Sequence, residues 1–119
     1  MKAEEAARRV RDKYIEDAAS VPLGDGILIL SDYNRMFPHS RLDPFEVFAD
    51  HPREIIESWM ARVSKLFETD SRIGYVLIHD GPESDAYEKL RAEYIQQNPG
   101  FTERTYDRAI HIRANWAVF

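Results

Sequence analysis

Two short, uninterrupted apolar runs constrain this chain more than any other feature: Ile27-Leu28-Ile29-Leu30 and Ile73-Gly74-Tyr75-Val76-Leu77-Ile78. Neither alternates apolar with polar residues. A continuous apolar run of this length, bounded by turn signals, reads as a strand covered on both faces, the pattern of a parallel sheet. The first run follows Ser20-Val21-Pro22-Leu23-Gly24-Asp25-Gly26, a loop by its proline and two glycines. Both runs then turn abruptly polar, into Ser31-Asp32-Tyr33-Asn34 and His79-Asp80-Gly81-Pro82-Glu83-Ser84-Asp85.

Helical patterns separate these runs. Ala3, Ala6, Ala7, Val10, Tyr14, Ile15 and Ala18 fall at helical spacing, with Glu4–Arg8 and Glu5–Arg9 as pairs one turn apart. Asp43-Pro44-Phe45-Glu46 offers an N-cap, a proline at the first helical position and a glutamate at the third, which predicts a single helical turn through Phe48. A helix starting after Asp50-His51-Pro52 carries the strongest stripe, Ile55, Ile56, Trp59, Met60, Val63, Leu66 and Phe67, and is expected to end at Thr69-Asp70-Ser71. Pro82 is placed to start another helix, with Ala86, Tyr87, Leu90 and Tyr94 on one face and a stop at Asn98-Pro99-Gly100. From Ile110 to Phe119 apolar Ile110, Ile112, Ala114, Trp116 and Val118 alternate with their neighbours, the period of a half-buried strand.

The order helix-β-helix-β-helix-β predicts one α/β domain over residues 1–119, with a short, mainly parallel sheet and helical crossovers. Three strands leave only one in a central position, yet both early runs read as doubly covered. Pairing through a sheet edge, either with a second copy or with further chain, would reconcile the two, so a homo-oligomer is expected.

Composition narrows the function classes. At 44% hydrophobic and 31% charged over 119 residues, the chain has the balance of a globular protein. It has no cysteine, which removes thiol nucleophiles, cysteine-based zinc sites and disulfides, and is compatible with a reducing, cytoplasmic compartment. The charged first segment lacks the core of a signal peptide, and the apolar runs fall far short of the roughly 20 residues a membrane-spanning helix needs. A net charge of −5 argues against coating nucleic acid by neutralising phosphates.

In open α/β sheets, ligands bind beyond the carboxyl ends of the strands. That placement would bring Asp32, Asp80, Glu83 and Asp85 together. Clustered carboxylates repel one another unless a cation sits among them, and oxygen ligands suit Mg²⁺ or Mn²⁺, which can activate water against a phosphate ester. All four are therefore expected metal ligands, with Asp32 and Asp80 as catalytic residues and Ser31, Tyr33, Asn34 and His79 in binding roles. Capping and the helix dipole favour acidic residues at the same positions without any function. His79 fits a general base or a polar exit from the core, and His111 with Arg113, on the solvent phase of the last strand, could contact phosphate or carboxylate. No Gly-rich phosphate loop and no G-x-S-x-G elbow is present.

The segment Ile27 to Asn34, followed by Asp43-Pro44-Phe45-Glu46, a long amphipathic helix and the run Ile73 to Ile78, resembles the opening of NYN domains, which are PIN-like nucleases. In that family the first strand ends in a metal-binding aspartate within a D-Y-x-N-like sequence. Asp32-Tyr33-Asn34 is similar with one residue missing. The resemblance spans at most residues 26 to 100. It implies a metal-binding role for Asp32 and, more weakly, a site role for Asn34; the family's other acidic residues come from later strands.

Three functions follow as expectations. The first is a metal-dependent nuclease or phosphoesterase acting on nucleic acid, RNA in particular, whether active, incomplete or inactive. The second is a small acidic interaction protein of the immunity, antitoxin or inhibitor kind, whose carboxylates meet a basic partner. The third is a homo-oligomer that binds a small molecule through the aromatic stretch of Tyr33, Phe37, Phe45 and Phe48, for which a local satellite core is the plainer explanation.

Overall fold

The computed structural model describes residues 2–68 and 72–118. Its elements are α1 (Lys2–Ala19), α2 (Leu23–Met36), α3 (Pro44–Val47), α4 (Arg53–Glu68), α5 (Arg72–Asp80), α6 (Asp85–Gln97) and α7 (Glu103–Val118). Among the described residues there is no strand. The expected α/β domain with a parallel sheet is therefore corrected to an all-helical fold, and sheet-edge pairing loses its basis. The expected helix end at Thr69-Asp70-Ser71, the last strand's Phe119, and the side chains of Trp116 and Val118 lie outside the described residues.

Both apolar runs are helical. Four to six consecutive apolar residues suit a helix buried on every side as well as a strand buried on both faces, and periodicity cannot separate the two. In α2 every residue from Gly24 to Leu30 is buried, as are Asp32 and Tyr33. The segment expected to be a loop thus contains the first turn of this helix, which starts just after Pro22. The glycines serve close packing rather than a turn. A Cβ on Gly24 would collide with the Trp59 ring, and one on Gly26 would lie 2.5 Å from the Ala18 carbonyl oxygen and 2.9 Å from Phe48 Cζ. Each glycine costs a helix about 1 kcal/mol relative to alanine, and here that cost is offset by the approach of α1, α4 and Phe48.

The fold forms two compact units, residues 1–63 and 64–119. In the first, α1 packs along α2. The expected turn of α3 is present: the Asp43 carboxylate accepts from Phe45 N at 2.9 Å, with Pro44 opening the helix. The linker before it is held by Asn34, whose amide donates to the Leu42 carbonyl at 2.9 Å and whose side-chain oxygen accepts from Leu42 N at 2.6 Å. The aromatic stretch forms a local core. Tyr33 and Phe48 are buried, Tyr33 lies 5.2 Å from the Tyr14 ring and 4.7 Å from Phe37, and Arg53 stacks on Phe45 at 3.8 Å.

In the second unit α5 packs on both α6 and α7. Its contact with α7 is a backbone approach at Gly74, where an added Cβ would stand 3.0 Å from Ala114 N. The expected final strand is instead the second half of α7. Ile110, Ile112 and Ala114 are buried, but so are Tyr106, Ala109 and Arg113. A helix covered on two sides buries so wide a face that any short alternation within it is incidental. Arg113, expected on a solvent-facing phase, is buried, whereas His111 is exposed.

Candidate functional site

The expected site residues of the first unit occupy successive positions of α2, so they point in different directions and meet different partners. Ser31 is exposed. Asp32, buried, accepts a 2.8 Å ion pair from Arg35 one turn on. The Tyr33 hydroxyl lies 3.3 Å from Ser40 Oγ, and Asn34 clamps Leu42. Three of the four are thereby engaged in holding the 34–42 segment or the helix itself.

Those of the second unit gather at the α5–α6 corner. His79 and Asp80 end α5, Glu83 lies in the connecting turn, and Asp85 opens α6. All four are exposed. Gly81 takes the left-handed conformation, φ +86°. The helix starts at Asp85 rather than at Pro82, and Ser84 caps it: its Oγ accepts from Tyr87 N at 3.1 Å and donates to the Gly81 carbonyl at 2.9 Å. Asp80, Glu83 and Asp85 thus stand close in sequence around one sharp turn. On α5 just before it, Tyr75 is 57% and Ile78 44% exposed. The His79 ring lies 4.0 Å from Tyr75, the two planes 35° apart.

Beside this corner a cleft of about 600 Å³ opens between α5, α6 and α7, lined by Leu77, Pro82, Tyr87, Glu88, Arg91, Asp107 and His111. Tyr87, Glu88 and Arg91 share one face of α6 by their three- and four-residue spacing, and Asp107 and His111 share one of α7. Arg91 Nε donates to Asp107 Oδ1 at 3.0 Å, tying the two helices together, and this bond raises the pKa of Arg91 further. Burial pushes the Tyr87 hydroxyl's pKa up, with the Asp107 charge adding to the effect and Arg91 opposing it. His111 Nδ1 sits 2.7 Å from the Asp107 carbonyl oxygen. A carbonyl only accepts, so that nitrogen carries a proton, and in the neutral ring Nε2 is the acceptor.

No family model matches the chain, and neither a curated protein nor a solved structure does. The fold corrects the PIN-like and NYN-like expectation, since that resemblance depended on strands at Ile27–Leu30 and Ile73–Ile78 that are helices here. Among the described residues no three His, Asp or Glu side chains are gathered to hold a metal ion. Asp32 is ion-paired with Arg35 at 2.8 Å. Among the described residues, no helix is long and apolar enough to cross a membrane.

Glu88, Arg91 and Asp107 line the cleft without being singled out by the sequence. Their only sequence signal is helical spacing, Tyr87 to Arg91 and Asp107 to His111 each being one turn, which common surface pairs share.

Proposed function

We propose that this chain is a small helical interaction module that captures a basic, partly apolar segment of another protein on its α5–α6 corner. The observation that carries this is the exposure of Tyr75 and Ile78, one helical turn apart, on a helix that ends among the exposed carboxylates of Asp80, Glu83 and Asp85. Large apolar side chains at a surface, bordered on one side by a group of carboxylates, have the composition of an interface that gains affinity from burial and selects its partner by charge. A lysine- and leucine-bearing amphipathic segment complements both features. The net charge of −5 favours such a partner over a polyanion such as RNA. The cysteine-free sequence is compatible with a cytoplasmic setting.

The test is a calorimetric titration with an amphipathic lysine–leucine peptide. Binding should weaken at least tenfold in a Tyr75→Ser, Ile78→Ser double variant. It should also weaken as salt is raised, because the carboxylates are exposed and screened. Equal binding by the double variant, or no binding by either protein, would remove the corner as a docking surface.

A further inference from the structure

We infer that the cleft between α5, α6 and α7 receives the head group of a lysine or arginine side chain from that basic partner, so the inference rests on the docking proposal and extends it to a specific recognition pocket. The cleft adjoins the corner, because Leu77 belongs to the helix that carries Tyr75 and Ile78, and Pro82 belongs to the turn that carries Glu83. A segment lying on the corner would therefore have the cleft within reach of a long side chain.

The lining selects a cation. Among the described residues that line the cleft Arg91 is the one arginine or lysine, and it is bound to Asp107 Oδ1 at 3.0 Å, so its charge is locally neutralised. Glu88 then leaves the lining with a net negative charge when His111 is neutral. Four of the lining residues carry an acceptor: the Glu88 carboxylate, the Asp107 carboxylate, the Tyr87 hydroxyl oxygen and, in the neutral ring, His111 Nε2. The other ring nitrogen donates to the Asp107 carbonyl. An ammonium or guanidinium group carries only donors and matches this set. Leu77, Pro82 and the Tyr87 ring offer apolar wall to the methylene stem, the way long cationic side chains ordinarily lie against a surface. A free anion would meet two carboxylates, and the exposed Asp80, Glu83 and Asp85 nearby in the chain oppose its approach further.

The experiment is an amide-resolved NMR titration of the full chain with two probes, N-acetyl-lysine methylamide and the lysine–leucine peptide, repeated with Glu88→Gln and with the Tyr75→Ser, Ile78→Ser variant. Both probes should move the amide signals of residues 87, 88, 91, 107 and 111. Glu88→Gln should weaken each about two- to fivefold, the range for an exposed charge contact, while the double variant should weaken only the peptide. Peptide binding that depends on Tyr75 and Ile78 but ignores Glu88→Gln and leaves the cleft amides still would overturn the inference and keep the docking proposal. Lysine-derivative binding in the cleft without peptide binding would support the pocket and overturn the docking surface. Shifts of the same amides by acetate or phosphate, and not by the lysine derivative, would make the cleft an anion site and overturn the inference.

Discussion

Arg113 Nη1 donates to the Leu66 carbonyl oxygen at 3.0 Å, across 47 residues of sequence. The Tyr94 hydroxyl donates to the same oxygen at 2.7 Å. Leu66 lies in the last turn of α4, where carbonyls have no partner within the helix and carry the negative end of its dipole, so a buried guanidinium and a buried phenol together complete that terminus. Arg113→Met should lower stability by about 2 kcal/mol, and Tyr94→Phe by about 1 kcal/mol. The double variant should lose more than the sum, because each single variant leaves the oxygen one donor. Urea denaturation of the four proteins would measure this.

Burial pushes the Tyr94 hydroxyl's pKa up to about 12, an effect that the Arg113 charge partly opposes. The unfolded value is about 10. Because the folded pKa is the higher one, the associated stability is fully present below about pH 10 and is lost as pH rises towards 12. The full difference corresponds to roughly 3 kcal/mol. Tyr87 shifts in the same direction and adds to the loss. Denaturation curves taken in steps from neutral to strongly alkaline pH should show a plateau and then a fall, with a shallower fall in Tyr94→Phe.

Gly26 and Gly81 should respond to alanine for opposite reasons. At Gly26 the new methyl meets the Ala18 carbonyl oxygen, a backbone atom that cannot rotate away, so Gly26→Ala should cost about 2–3 kcal/mol by overpacking. At Gly81 nothing lies within 4 Å, and the cost of about 1 kcal/mol comes from the left-handed backbone alone. Thermal melts separate them further: a second-site Phe48→Leu should relieve the Phe48 part of the clash in Gly26→Ala and do nothing for Gly81→Ala.

Asn34 fixes the 34–42 segment by donating to and accepting from one residue, Leu42. Asn34→Asp keeps the acceptor and loses the donor, and it places a carboxylate against a carbonyl oxygen. It should destabilise by about 1–3 kcal/mol and speed hydrogen exchange at the Leu42 amide less than Asn34→Ala does. Equal exchange at Leu42 in both variants would show that the accepting bond does not hold the segment.

What could be read from local sequence was whatever local chemistry decides. The spaced alanines of α1, the Asp43-Pro44 start of α3, the stripe of α4 and the Asn98-Pro99-Gly100 stop after α6 all lie within a turn or two of the groups they act on, and each is present. The sequence by itself also determined the exposed acidic character of the 80–85 segment, because capping and turn residues place it at a surface in either fold. Whether Ile27–Leu30 and Ile73–Ile78 would be strands or helices was not a local matter. A fully covered apolar run satisfies both, and the outcome turned on Trp59, Ala18 and Phe48 closing around Gly24 and Gly26, and on α7 closing against Gly74. The cleft was settled the same way. Arg91 and Asp107 stand 16 residues apart, and only the packing of α6 beside α7 makes their 3.0 Å bond and the space that His111, Glu88 and Tyr87 face.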